Sequence, residues 1–99
     1  MTNIILLCNQ GLSTSALVKK MESIIQEDNL SVRVEAHAID TAQVSAKDAD
    51  IILLGPQIRY KLNAVKELFP KKPVQVIDMA DYGMMNGRAV VEKALKELE

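Results

Sequence analysis

The chain has 99 residues, 48% of them hydrophobic and 25% charged, with a net charge of −1 and a single cysteine. A length of that order sustains one domain with its own core, and residues 1–99 read as a single domain. The balanced charge excludes a basic surface for nucleic acid, one cysteine excludes an internal disulfide, and no apolar run approaches membrane length. The expected location is the cytoplasm, where a free thiol persists. Aromatic residues are confined to Tyr60, Phe69 and Tyr82, so no platform for stacking bases or sugar rings is evident.

In chain order, Ile4 to Leu7 is a continuous apolar run, the pattern of a strand covered on both faces. Cys8 to Ser15 is a polar, glycine-containing loop. Ala16, Leu17, Met21, Ile24 and Ile25 then recur at helical spacing, predicting an amphipathic helix from Thr14 to Glu27. Val32 to His37 alternates with period two, as a half-exposed strand at a sheet edge does. A short helix is expected over Thr41 to Ala46, and Ile51 to Leu54 is a second buried strand stopped by Gly55-Pro56. Leu62, Val65, Leu68 and Phe69 mark a helix closed by Pro70. Val74 to Ile77 is a fourth strand, Asp81 to Gly87 an irregular turn, and Val91, Ala94, Leu95 and Leu98 line a C-terminal helix. This alternation calls for an α/β fold, an open four-stranded parallel sheet with helices on both faces in three layers. Ligands of such sheets bind beyond the carboxyl ends of the strands. Cys8, Gly55-Pro56-Gln57 and the segment from Asp78 to Gly83 all follow strand ends, so they are expected on one rim.

The loop carries the chemistry. Backbone N–H groups at a helix start lack intrahelical partners and point at a bound anion. Gly11 permits close backbone approach, and Ser13, Thr14 and Ser15 add hydroxyls, at least one of which serves as a helix cap. The field that holds a phosphate also stabilises a thiolate, so Cys8 reads as a nucleophile that handles phosphate. A buried structural cysteine is the plainer alternative. Asp78 reads as a loop or cap residue, Gln57 and Tyr82 as rim candidates, and His37 as an ordinary surface histidine. Met79, Met84 and Met85 flank the rim, where methionines suit either an adaptable docking surface or core packing.

Cys8-Asn9-Gln10-Gly11-Leu12-Ser13-Thr14-Ser15, Leu53-Leu54-Gly55-Pro56-Gln57-Ile58, and Lys72 to Asp78 followed by Tyr82-Gly83 resemble the lactose/cellobiose/chitobiose-type IIB component of the bacterial phosphoenolpyruvate-dependent sugar phosphotransferase system. The likeness covers nearly the whole chain. It implies a phosphotransferase whose cysteine, here Cys8, takes a phosphoryl group from a phosphohistidine of a IIA component. The group then passes to a disaccharide carried by the membrane component IIC. Asn9, Gln10, Gly11, Leu12, Ser13, Thr14 and Ser15 would cradle the phosphate, with no metal or organic cofactor. Asn9-Gln10 departs from the smaller pair common in that family, so the likeness extends to the backbone contacts of the cradle and not to its side chains. It names no single sugar, and nothing demands more than a monomer.

Three rival readings fit the same residues less well. A small cysteine phosphatase, similar in fold to these proteins, uses C-x5-R-[ST] with an arginine clamping the phosphate. Thr14 stands at that position, and Asp81-Tyr82 is only faintly similar to the acid-bearing loop of such enzymes. A thiol redox protein requires a second cysteine. A receiver-like binding module requires acidic residues where Cys8 stands.

Overall fold

Ile4 to Leu7 and Ile51 to Leu54 are buried at every position, which a strand achieves only when both faces of its sheet are covered. The computed structural model describes residues 1–9 and 12–99, and of residues 12 and 13 the backbone alone. Strands β1 (Thr2–Cys8), β2 (Val32–Ala38), β3 (Ile51–Leu54) and β4 (Val74–Val76) form a four-stranded sheet in the order β2-β1-β3-β4. The pairings of β1 with β2, β1 with β3, and β3 with β4 are all parallel. As its alternation predicted, β2 is an edge strand, with Val34 buried between exposed Arg33 and Glu35.

Alternate residues of β1 face opposite layers. Ile4 and Leu6 pack with Leu17, Met21 and Ile25 of α1 (Leu12–Glu27). Val90, Val91 and Ala94 of a C-terminal helix complete that layer. Ile5 and Leu7 pack on the other side with Ala42 of α2 (Ala42–Ser45) and Val65 of α3 (Leu62–Leu68). Each of these large side chains, taken fully out of water, contributes roughly 1.5–3 kcal/mol.

The differences from the sequence reading fall at element ends. Helix α1 begins at Leu12 rather than Thr14. A 3-10 turn over Ile39–Thr41 precedes α2, and another over Pro56–Lys61, kinked at Ile58, precedes α3. The expected irregular turn from Asp81 to Gly87 is instead the end of α4 (Met79–Gly83) and the start of α5 (Gly87–Glu97). Side-chain capping explains it. Asp78 Oδ1 accepts from the N–H groups of Ala80 at 2.8 Å and Asp81 at 3.3 Å, and Asn86 Oδ1 accepts from Ala89 N–H at 3.1 Å. Between the two helices Met85 adopts φ 53°, a left-handed conformation that costs a non-glycine residue about 1–2 kcal/mol. Met85 N–H bonded to Tyr82 O at 3.1 Å and Asn86 N–H bonded to Asp81 O at 2.8 Å close the turn.

Asp78→Ala removes the α4 cap and is expected to cost about 1 kcal/mol, a fall of roughly 4–8 °C in thermal midpoint. Asp78→Asn, which keeps the acceptor oxygen, is expected to melt near wild type. Thermal unfolding followed by circular dichroism checks both.

Candidate functional site

Strand β1 leads through α1 to β2 on one side, while the next crossover carries the chain to β3 on the other. The crevice at the carboxyl ends of β1 and β3 is therefore the point where the winding reverses, the place where open α/β sheets receive ligands. Cys8, half-buried, is the last residue of β1. Its Sγ lies 3.7 Å from the carbonyl oxygen of His37, to which the thiol donates weakly. A thiolate has no such donor, so ionisation frees the sulfur from this contact. Four positions after Cys8, at Leu12, α1 starts, and the first N–H groups of a helix have no partner within it.

The other strand ends join the rim. Gly55 N–H donates to Leu7 O at 3.1 Å, and Ile77 N–H donates to Leu54 O at 2.8 Å. Gln57 is exposed, and its Oε1 folds back to 3.0 Å from where a Cβ on Gly55 would stand; the Tyr82 ring is 3.9 Å from the same point. Tyr82 itself is only 7% exposed, and its hydroxyl lies 2.9 Å from the Thr14 hydroxyl, which is 3% exposed. The expected rim position of Tyr82 is thus a buried one, behind the rim. Thr14's hydroxyl is engaged by Tyr82, and Ser15 is exposed on the first turn of α1. Asn9 is exposed between β1 and α1. Gln10 and Gly11, with the side chains of Leu12 and Ser13, lie outside the described residues.

Beside the rim, Pro56, Gln57, Arg59, Met79, Tyr82 and Met85 line an open groove of about 460 Å³. Met79 and Met84 are exposed, whereas Met85 is half-buried against the core. Arg59, which the sequence reading passed over, donates from Nη1 to Pro56 O at 3.1 Å and places a cation on this groove. A cationic residue three positions beyond a strand-end Gly-Pro was the available signal. On the far side of α4, Asp81 Oδ2 accepts from Lys93 Nζ at 2.6 Å and thereby holds the ammonium above its ordinary pKa. That contribution is present at neutral pH and fades only as pH rises through the raised lysine value. His37 is paired with Leu7 in register, on the sheet face opposite the Cys8 side chain, and its Nε2 lies 3.0 Å from Glu35 Oε1.

Residues 3–93 match the family model described as PTS system, Lactose/Cellobiose specific IIB subunit. The chain belongs to this IIB family. It is similar to the oligo-beta-mannoside-specific EIIB component of Bacillus subtilis, at 35% identity over 96% of this chain and 94% of that one. It is 37% identical to the galactose-specific EIIB component of Lactococcus lactis subsp. cremoris, over 92% of this chain and 91% of the relative. A cellobiose-specific EIIB component from Lactococcus lactis subsp. lactis is 36% identical over the same shares, 92% and 91%. Among solved structures, the cellobiose-specific IIB component of Borrelia burgdorferi superposes with a TM-score of 0.80 at 35% identity, covering 96% of this chain and 89% of that one. A lactose-specific IIB domain of Streptococcus pneumoniae shares the fold, with a TM-score of 0.84 at 14% identity over 96% and 95% of the two chains. Components of this kind act as phosphotransferases in sugar uptake and work with IIA and IIC partners. Among the described residues of this IIB protein, no helix is long and apolar enough to cross a membrane.

Proposed function

We propose that Cys8 is a phosphocysteine carrier, charged by a phosphohistidine of a IIA partner and discharged to a sugar held by a IIC membrane component. The observation that supports this most is the position of Cys8 in a IIB chain: half-buried at the carboxyl end of β1, at the winding reversal and just ahead of the start of α1. In the first step the thiolate attacks phosphorus in line; the S–P bond forms, the P–N bond breaks, and the electron pair returns to the donor imidazole. In the second, a sugar hydroxyl attacks the same phosphorus, the P–S bond breaks and the thiolate is regenerated. Backbone N–H groups between Asn9 and Ser15 are assigned to the equatorial oxygens, and the start of α1 stabilises the added charge. A base for the sugar hydroxyl falls to IIC. The reaction so written uses no metal or organic cofactor.

A carrier must keep its phosphoryl group from water. At the position where cysteine phosphatases place their clamping arginine, this chain has Thr14, turned inward to Tyr82. That substitution favours holding the group for a partner over hydrolysing it. The methionine-bordered groove next to the site offers a deformable surface for successive partners at the cytoplasmic face. Relatives named for oligo-beta-mannoside, galactose and cellobiose are 35%, 37% and 36% identical to this chain, so likeness singles out no sugar. We assign the chain to the uptake of a sugar of this group, with selectivity residing in IIC.

The test is the intact mass of the protein after incubation with phosphoenolpyruvate, the general phosphotransferase proteins and a lactose-family IIA. One added phosphoryl group, dependent on IIA, is expected. No uptake with several such IIA proteins, together with hydrolysis of an aryl phosphate, would favour the phosphatase reading.

A further inference from the structure

Thr14 is the buried polar residue of α1 among the described side chains, and it lies on the same helical stripe as the apolar Leu17, Met21 and Ile25. Valine there and phenylalanine at 82 would fill nearly the same volume, so the bulk of the two side chains does not by itself call for a hydroxyl on either. A hydrogen bond differs from apolar contact in having one preferred geometry, and a buried one is rigid. From behind the rim, Tyr82 joins three parts of it. Its hydroxyl holds the first turn of α1, its ring borders Gly55, and Gly55 N–H is bonded to the residue preceding Cys8. Tyr82 is itself held by α4, which the Asp78 cap and the Asp81–Lys93 bond fasten at either side.

Resting on the carrier reading above, we propose that Tyr82 is a positioning residue for phosphoryl transfer: through Thr14 it sets the first turn of α1 relative to Cys8. The backbone donors of that turn are useful only at the right distance from the sulfur, and a displacement of about 1 Å costs on the order of 100-fold in rate.

The test measures the rate of Cys8 phosphorylation by a phosphorylated lactose-family IIA, across donor concentrations, for wild type, Tyr82→Phe, Thr14→Val, Thr14→Ser and the Tyr82→Phe/Thr14→Val double variant. Thermal midpoints are recorded for each. The maximal rate is expected to fall about tenfold or more in Tyr82→Phe and Thr14→Val, with half-saturation by the donor unchanged. Thr14→Ser, which keeps the hydroxyl, should recover most of that loss. The double variant should stay slow, no slower than the slower single variant. A double variant that regains the wild-type rate, or single variants that transfer at that rate, would overturn the inference. So would a change confined to donor half-saturation, which is the signature of a docking contact. Failure of the wild type to be phosphorylated would overturn the carrier reading, and this inference with it.

Discussion

Cys8→Ser is expected to abolish phosphoryl uptake, with a loss on the order of 1,000-fold or more, while leaving the fold intact. The serine hydroxyl is slightly smaller than the thiol and gives up only the weak 3.7 Å contact to the His37 carbonyl oxygen, so the end of β1 should not move. The half-buried position adds little packing to lose, and the thermal midpoint should stay within a few degrees of wild type. What changes is the nucleophile: a hydroxyl is far less ionised than a thiol at neutral pH and attacks phosphorus poorly without a base. Intact-mass measurement with a IIA donor reads the outcome directly. Normal uptake by the serine variant would place the phosphoryl group elsewhere and end the mechanism.

Gly87→Ala is expected to have the largest effect on stability. A Cβ on Gly87 would stand 2.7 Å from Lys20 C and from Met21 N, and 2.9 Å from Lys20 Cβ. Two of these atoms are backbone and cannot rotate away, so the start of α5 must separate from the middle of α1. Overpacking of this kind typically costs about 1–3 kcal/mol, and the rigidity of the obstacle argues for the upper end. For a chain of this length that is a fall of roughly 10–20 °C in thermal midpoint. Gly83→Ala is the matched control, because nothing lies within 4 Å of a Cβ there. Its position at the end of α4 favours alanine by up to about 1 kcal/mol. Urea titration of the two variants should therefore show shifts of opposite sign; equal midpoints would refute the steric argument.

The two helices held together at Gly87 show where sequence reading succeeds and where it stops. The buried strands Ile4–Leu7 and Ile51–Leu54, the edge strand at Val32 and the stripe of α1 were legible because hydrophobic periodicity is a local property. Each can be read from residues a few positions apart. Asp78 was recognisable as a cap, yet α4 was not recognisable as a helix. One turn is too short to display a period, and its existence depends on where the Asp78 carboxylate lands. Arg59 was missed although its charge and its spacing from Gly55-Pro56 were legible, because the kink at Ile58 in the turn that carries it has no local pattern.

By itself, then, the sequence determined the fold class, the edge position of the second strand and the family likeness, and it singled out Cys8 as the candidate nucleophile, all of which depend on local pattern or on residue identity. Only the tertiary structure decided that Thr14 turns inward to meet Tyr82, and that a glycine is required where α5 meets α1. These are contacts between residues 68 and 67 positions apart (82 − 14 and 87 − 20), created when α1 and the α4–α5 segment pack on the same face of the sheet. No local pattern encodes such a meeting, because it is the shared core beneath the two segments that brings them together.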